Sequence, residues 1–126
     1  VADHCEAIRE VLSRGSIGET YAVGGNAERT NLDVVKILCT TLDELRPRNG
    51  ESYSTQIQFV KDRPGHDRRY AIDARKISRE LGWSPRHGFE AGLRNTVAWY
   101  LANPEWTDNI RSGEYQRWID RNYAAR

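Results

Sequence analysis

The residues with the clearest chemical potential lie close together. Residues 62 to 70, "DRPGHDRRY", place a proline, a glycine and a histidine among two aspartates and three arginines. Pro64 fixes its own φ and pushes Arg63 toward extended geometry, and Gly65 permits a turn that other residues resist. The loop is therefore read as stiff, with Arg63 and His66 held at a set separation. A guanidinium fork matches phosphate oxygens, and an imidazole adds a hydrogen bond at lower charge, so a diphosphate is the guest that suits the pair. From residue 61 to 80, seven basic residues face four acidic ones, a local excess of three. That field is modest, and the competing view is a solvated surface loop whose Arg and Asp side chains pair weakly with each other. Equally plain roles exist elsewhere: a helix start for Asn31 beside Thr30, and a last core contact of a terminal helix for Tyr123.

The chain around this loop is the size of one domain, 126 residues. Charged residues make up 29% of it and no apolar run is long enough to cross a bilayer, which excludes a membrane span. With 19 Lys plus Arg against 18 Asp plus Glu there is no global charge to hold nucleic acid. Trp83, Trp99, Trp106 and Trp118 are not interleaved with a basic stripe and read as packing residues. Cys5 and Cys39 lack the close second ligand that zinc or CxxC chemistry needs, so no metal site is expected. Both read as small core residues, with a disulfide between them as the alternative and a reducing cytoplasm as the expected compartment. The chain opens at Val1, contains no methionine and starts directly in a helical pattern, so it is read as a piece of a longer protein.

The elements that must position the loop follow from periodicity. Cys5, Ile8, Val11 and Leu12 recur at helical spacing, ending near Ser13. "ETYAV", 19 to 23, reads as a strand entering the Gly24-Gly25 turn. Thr30 and Asp33 form a capping box with a shortened acid ahead of a helix to about Leu45 with Leu32, Val35, Cys39 and Leu42 on one stripe. "QIQFV", 56 to 60, and "YAID", 70 to 73, read as further short strands, and "ARKISRELGW" as a short helix stopped at Gly82. Phe89, Leu93, Val97 and Tyr100 mark a fourth helix, and Tyr115, Trp118, Ile119 and Asn122 or Tyr123 a fifth. The fold class expected is α/β, as an α+β fragment that mixes helices with short strands.

Taken together, "VADHCEAI", "GETYAVGGNAERTNLDVV", "FVKDRPGHDRRYAIDARKISRELGW", "FEAGLRNTVAWYLAN" and "SGEYQRWIDRNY" resemble the C-terminal part of the dTDP-glucose 4,6-dehydratases, NAD-dependent members of the extended short-chain dehydrogenase/reductase group. The V-x-D-H opening and LGW-x-P are shared broadly within that group. "DRPGHDRRYAID", "WYLAN" and "YQRWI" narrow it to the dehydratases. Gly88 departs from the family, standing where a hydroxyl residue commonly caps the next helix, and the turn from Arg48 to Ser52 varies in length.

The resemblance implies that residues 1–126 are a nucleotide-sugar-binding portion, with about 1–30 packing on or joining an upstream Rossmann sheet. It implies a substrate-binding set of Asn31, Arg63, His66 and Tyr123: Arg63 on the diphosphate, and His66 and Asn31 on phosphate and sugar oxygens. No catalytic residue is expected within the chain, because the family's glycine-rich loop, Tyr-x-x-x-Lys pair and Asp-Glu pair lie upstream. The implied parent is a lyase that oxidises C4 of dTDP-glucose with NAD⁺, loses water across C5 and C6 and returns hydride to C6, giving a 4-keto-6-deoxy sugar for rhamnose or another deoxysugar. The NAD would be held by the upstream domain, and the full-length protein would be a cytoplasmic homodimer. The alternatives are another nucleotide-sugar epimerase, dehydratase or decarboxylase, and a non-catalytic nucleotide-binding module.

Overall fold

Helix formation follows the apolar spacing and the caps. The computed structural model describes residues 1–60, 64, 65, 67, 69–111, 113, 115, 117 and 118. Among these residues the named helices run in chain order: α1 (Ala2–Arg14), α2 (Asn31–Leu45), α3 (Arg75–Leu81), α4 (Phe89–Ala102) and α5 (Pro104–Arg111), with a 3₁₀ turn at Tyr53–Gln56. Thr30 caps α2 as its sequence predicts, its hydroxyl oxygen accepting from the Asp33 amide at 3.1 Å and its O–H donating to Asp33 Oδ2 at 2.7 Å. Gly82 ends α3 in the left-handed region, φ 68°, where a side chain would be strained. Gly88 precedes α4 and gives it no side-chain cap.

The core is small and sits where α1 crosses α3. Ala7, Ala74, Ile77, Leu81 and Trp83 are buried together, with Val11, Tyr21 and Val23 packed against them. The Arg14 guanidinium binds the Leu81 carbonyl and Glu10, tying the end of α1 to the end of α3. At the start of α1, Asp3 accepts from the amides of Arg86 and His87 at 3.2 and 3.0 Å and meets His87 Nδ1 at 2.7 Å. These bonds hold the Asp3 carboxyl below its ordinary range, the His87 ring being the main cause. A second packing layer joins α2 to α4, the helices in which Cys39, Thr41 and Val97 are buried. Asp43 ties the 3₁₀ turn to α2, accepting from Ser52 Oγ at 2.6 Å and from the Tyr53 amide at 2.8 Å.

The expected α/β character is overturned. Among the described residues there is no strand, only an isolated bridge between Arg48 and Glu51. The alternation in 19–23 is real as a burial pattern, since Tyr21 and Val23 turn inward and Thr20 and Ala22 outward. Its inward side chains pack on helices instead of facing a neighbouring strand. Gly24 does come up against Ile72, but through contact: a Cβ at Gly24 would stand 3.1 Å from that of Ile72. Without backbone pairing, period-two spacing yields irregular chain. In 56–60, Phe59 and Val60 are exposed, so no core face holds that segment either.

Two further readings change. Cys5 is exposed while Cys39 is buried, and both are free thiols, so Cys5 is no core residue and no disulfide joins them. Helix α5 was not foreseen, although Pro104 at its first position and Glu105 in its first turn are start signals. The expected fifth helix around Tyr115 to Tyr123 lies largely outside the described residues; Tyr115 and Trp118 stack there with ring centroids 6.4 Å apart. No helix among the described residues is long and apolar enough to cross a membrane.

Candidate functional site

The site is built around the start of α2. Asn31 is the first residue of that helix and is exposed, directly after the Thr30 cap. The approach to it, residues 24–30, is a strap shaped by the Gly24-Gly25-Asn26 turn, in which Asn26 adopts φ 49°. Asparagine tolerates that left-handed conformation better than most residues.

Consecutive residues of the strap reach in different directions. Arg29 binds Glu90 in the first turn of α4 at 3.1 Å and lies over the Phe89 ring, 5.7 Å from its centre. Glu28 accepts a forked pair of hydrogen bonds from Arg69, Nε to Oε2 and Nη2 to Oε1, each 2.8 Å. The guanidinium holds the Glu28 carboxyl below its ordinary range, and the carboxylate raises the Arg69 pKa in turn. Arg69 is the penultimate residue of the "DRPGHDRRY" loop, so this pair draws the loop's end alongside the strap that leads into Asn31. Gly65, inside the loop, takes φ 70°, a turn that its lack of a Cβ makes accessible.

The segment leaving the loop is pinned as well. Asp73 accepts from the Arg75 amide at 3.0 Å and from its guanidinium at 2.6 to 3.0 Å, which lowers the Asp73 pKa to about 2. Lys76 binds Glu19 at 2.5 Å and stands 4.9 Å from the centre of the Tyr21 ring.

Of the four expected binding residues, Asn31 is exposed at the start of α2, directly after the strap. Arg63, His66 and Tyr123 lie outside the described residues. Glu28 and Arg69 were missed by sequence reasoning. Their opposite charges are visible, but nothing in a separation of 41 positions says that they meet.

A cavity of about 870 Å³ opens beside the first half of the strap, between the start of α1, residues 23–27 and the aromatic faces of α4 and α5. Trp83, Phe89, Leu93, Trp99 and Trp106 make its walls largely apolar, and Asp3 and His87 at its edge are engaged with each other. The indole N–H of Trp83 is buried there without a partner, but among the described residues no arginine or lysine lines the cavity to meet a diphosphate, so the α2 start is the better candidate. Nor do the described residues fit a dinucleotide cofactor, which takes a glycine-rich turn between a strand and a helix. The positive-φ glycines, Gly18, Gly50, Gly65, Gly82 and Gly113, have no strand before them. Among the described residues no cluster of three or more His, Cys, Asp or Glu could hold a metal ion.

Comparison with known proteins agrees with the motifs. Residues 1–96 match the family model described as GDP-mannose 4,6 dehydratase. The dTDP-glucose 4,6-dehydratase of Shigella flexneri is 56% identical over all 126 residues, and that of Salmonella typhimurium 57%, each match taking in 100% of this chain and 35% of the relative. The chain therefore spans about a third of the length of these relatives. Among solved structures, a dTDP-glucose 4,6-dehydratase from Bacillus anthracis in complex with NAD superposes with a TM-score of 0.69 at 46% identity, over 83% of this chain and 30% of that one. The Streptomyces venezuelae enzyme of the same name, also with NAD bound, gives a TM-score of 0.71 at 41% identity over the same shares.

Proposed function

The chain belongs to the GDP-mannose 4,6 dehydratase family, and from that premise we propose that it is the nucleotide-sugar-binding part of an NAD-dependent dTDP-glucose 4,6-dehydratase. The parent protein converts dTDP-glucose to dTDP-4-keto-6-deoxyglucose. Arg63 meets the diphosphate with its guanidinium fork, His66 and Asn31 bind phosphate and sugar oxygens, and Tyr123 closes the nucleotide end. Residues 1–30 pack on the Rossmann sheet of the same protein, which holds NAD, and the full-length protein is a homodimer. This part of the chain carries no acid, base or hydride chemistry. Its contribution to rate is binding energy from the non-reacting nucleotide, which positions the sugar for steps carried out elsewhere.

The observation that carries the reading is the forked Glu28–Arg69 pair, which draws the end of the "DRPGHDRRY" loop alongside the approach to Asn31. Arg63→Ala in the full-length protein should weaken dTDP binding by roughly 1.5 to 3 kcal/mol, the scale of a charge-assisted contact. Isothermal calorimetry measures it, and unchanged affinity refutes the clamp. A second reading follows from the description of the matched family model, which names a GDP-sugar enzyme. Product formation from dTDP-glucose, with GDP-mannose and UDP-glucose inert, decides for the dTDP assignment. Turnover of GDP-mannose in place of dTDP-glucose decides for the other.

A further inference from the structure

We infer that Glu28 and Arg69 are positioning residues, a clasp that sets the distance between the nucleotide-binding loop and the first residue of α2. The inference rests on the reading of that loop as the diphosphate clamp. Three observations support it. The pair is bidentate, Nε and Nη2 of Arg69 each meeting one carboxylate oxygen of Glu28 at 2.8 Å, which fixes orientation as well as separation. Glu28 stands three residues before Asn31, and Arg69 four residues after Gly65, so the clasp joins the segment leading into α2 to the end of the loop. Behind Glu28, the neighbouring Arg29 is fastened to Glu90 and Phe89 of α4, so the carboxylate is anchored to a helix and does not trail with the loop.

The same geometry assigns Arg69 a role different from that of Arg63. Its Nε–Nη2 edge is taken up by Glu28, which leaves the Nη1 side outside this pair, so the role assigned to Arg69 is to hold the loop, and direct phosphate contact is the alternative that the test below separates. Both side chains are largely exposed, at 72% and 51%, so the pair adds little to fold stability and its effect on binding is separable from unfolding.

The test uses the full-length protein, with dTDP in calorimetry and dTDP-glucose in steady-state kinetics. Glu28→Ala and Arg69→Ala should each raise the Kd for dTDP about two- to fivefold, the scale of an exposed but well-oriented ion pair. KM should rise with kcat nearly unchanged and the melting temperature held. The double variant should be no worse than either single one, and the exchange Glu28→Arg with Arg69→Glu should recover most of the loss. Wild-type affinity in Glu28→Ala overturns the clasp. A large loss in Arg69→Ala without one in Glu28→Ala overturns it as well, and makes Arg69 a direct phosphate ligand. Arg63→Ala, run alongside, separates the two levels: if it binds dTDP normally the clamp reading itself falls, whereas if it weakens binding while Glu28→Ala does not, only the clasp is lost.

Discussion

At the scale of single residues, the exit from the loop is governed by Asp73. Its carboxylate takes the amide and the guanidinium of Arg75 and so helps to start α3. Because its pKa falls from 3.8 to about 2 on folding, the stabilisation that it brings is fully present above pH 3.8 and is lost as the pH drops toward 2. A carboxyl-carbon NMR titration should therefore show Asp73 protonating near pH 2 in the folded chain. In Arg75→Ala, which removes the main cause, the midpoint should return toward 3.8. A midpoint near 3.8 in the unaltered chain would show that the pair does not persist in solution. Glu28 and Asp3 are depressed in the same direction by Arg69 and His87, so acid loosens the clasp and the start of α1 in the same sense.

Among the elements, α4 is the one left without a complete start. Gly88 stands at its N-cap in an extended conformation, φ −65° and ψ 159°, with open space where a Cβ would project. Gly88→Ser should fit without strain and add a hydroxyl acceptor for the free amides, stabilising the chain by a few tenths to about 1 kcal/mol. Urea unfolding of the two forms measures it, and a lower midpoint for the serine form contradicts the argument. The helices were the legible part of the sequence, because apolar spacing and caps are local signals. The Thr30 cap, the Gly82 stop and the span of α2 could all be read from neighbours within a turn. The strands were misread because alternation records which side chains turn inward and not what they turn toward. Tyr21 and Val23 face α1 and α3, and pairing with another strand is a non-local fact that five residues do not contain. The candidate site divides in the same way: the Pro64-Gly65 turn and the place of Asn31 at a helix start were visible, whereas the contact between Glu28 and Arg69 depends on how distant segments lie together.

For the whole molecule, the balance of surface is the telling property. Ile77 is the only large side chain fully buried among the described residues, while Leu12, Ile17, Phe59 and Val60 are each more than 80% exposed. The outward face of α1, with Ile8 and Leu12, is apolar, contrary to what a helix on the rim of a finished domain presents. On its own the 14.5 kDa chain should therefore self-associate or bind hydrophobic dyes at micromolar concentration. Sedimentation over a range of concentrations tests this, and a monomer throughout with no dye binding would show that the exposed faces are tolerated in water.

The strap between Gly24 and Thr30 has one more implication, for the order in which the molecule assembles. Its two fastenings close loops of 41 and 61 residues, far longer than any contact that nucleates a helix. Exposed ion pairs return too little to offset the entropy of closing such spans, so they form only after the contacts of α1 with α3 and of α2 with α4, which close spans of comparable length but bury apolar surface, have brought the segments together. A nascent chain thus acquires its helices early and its ligand-facing edge at the end, and a molecule arrested short of that point would look folded by its helix content while being unable to hold a nucleotide.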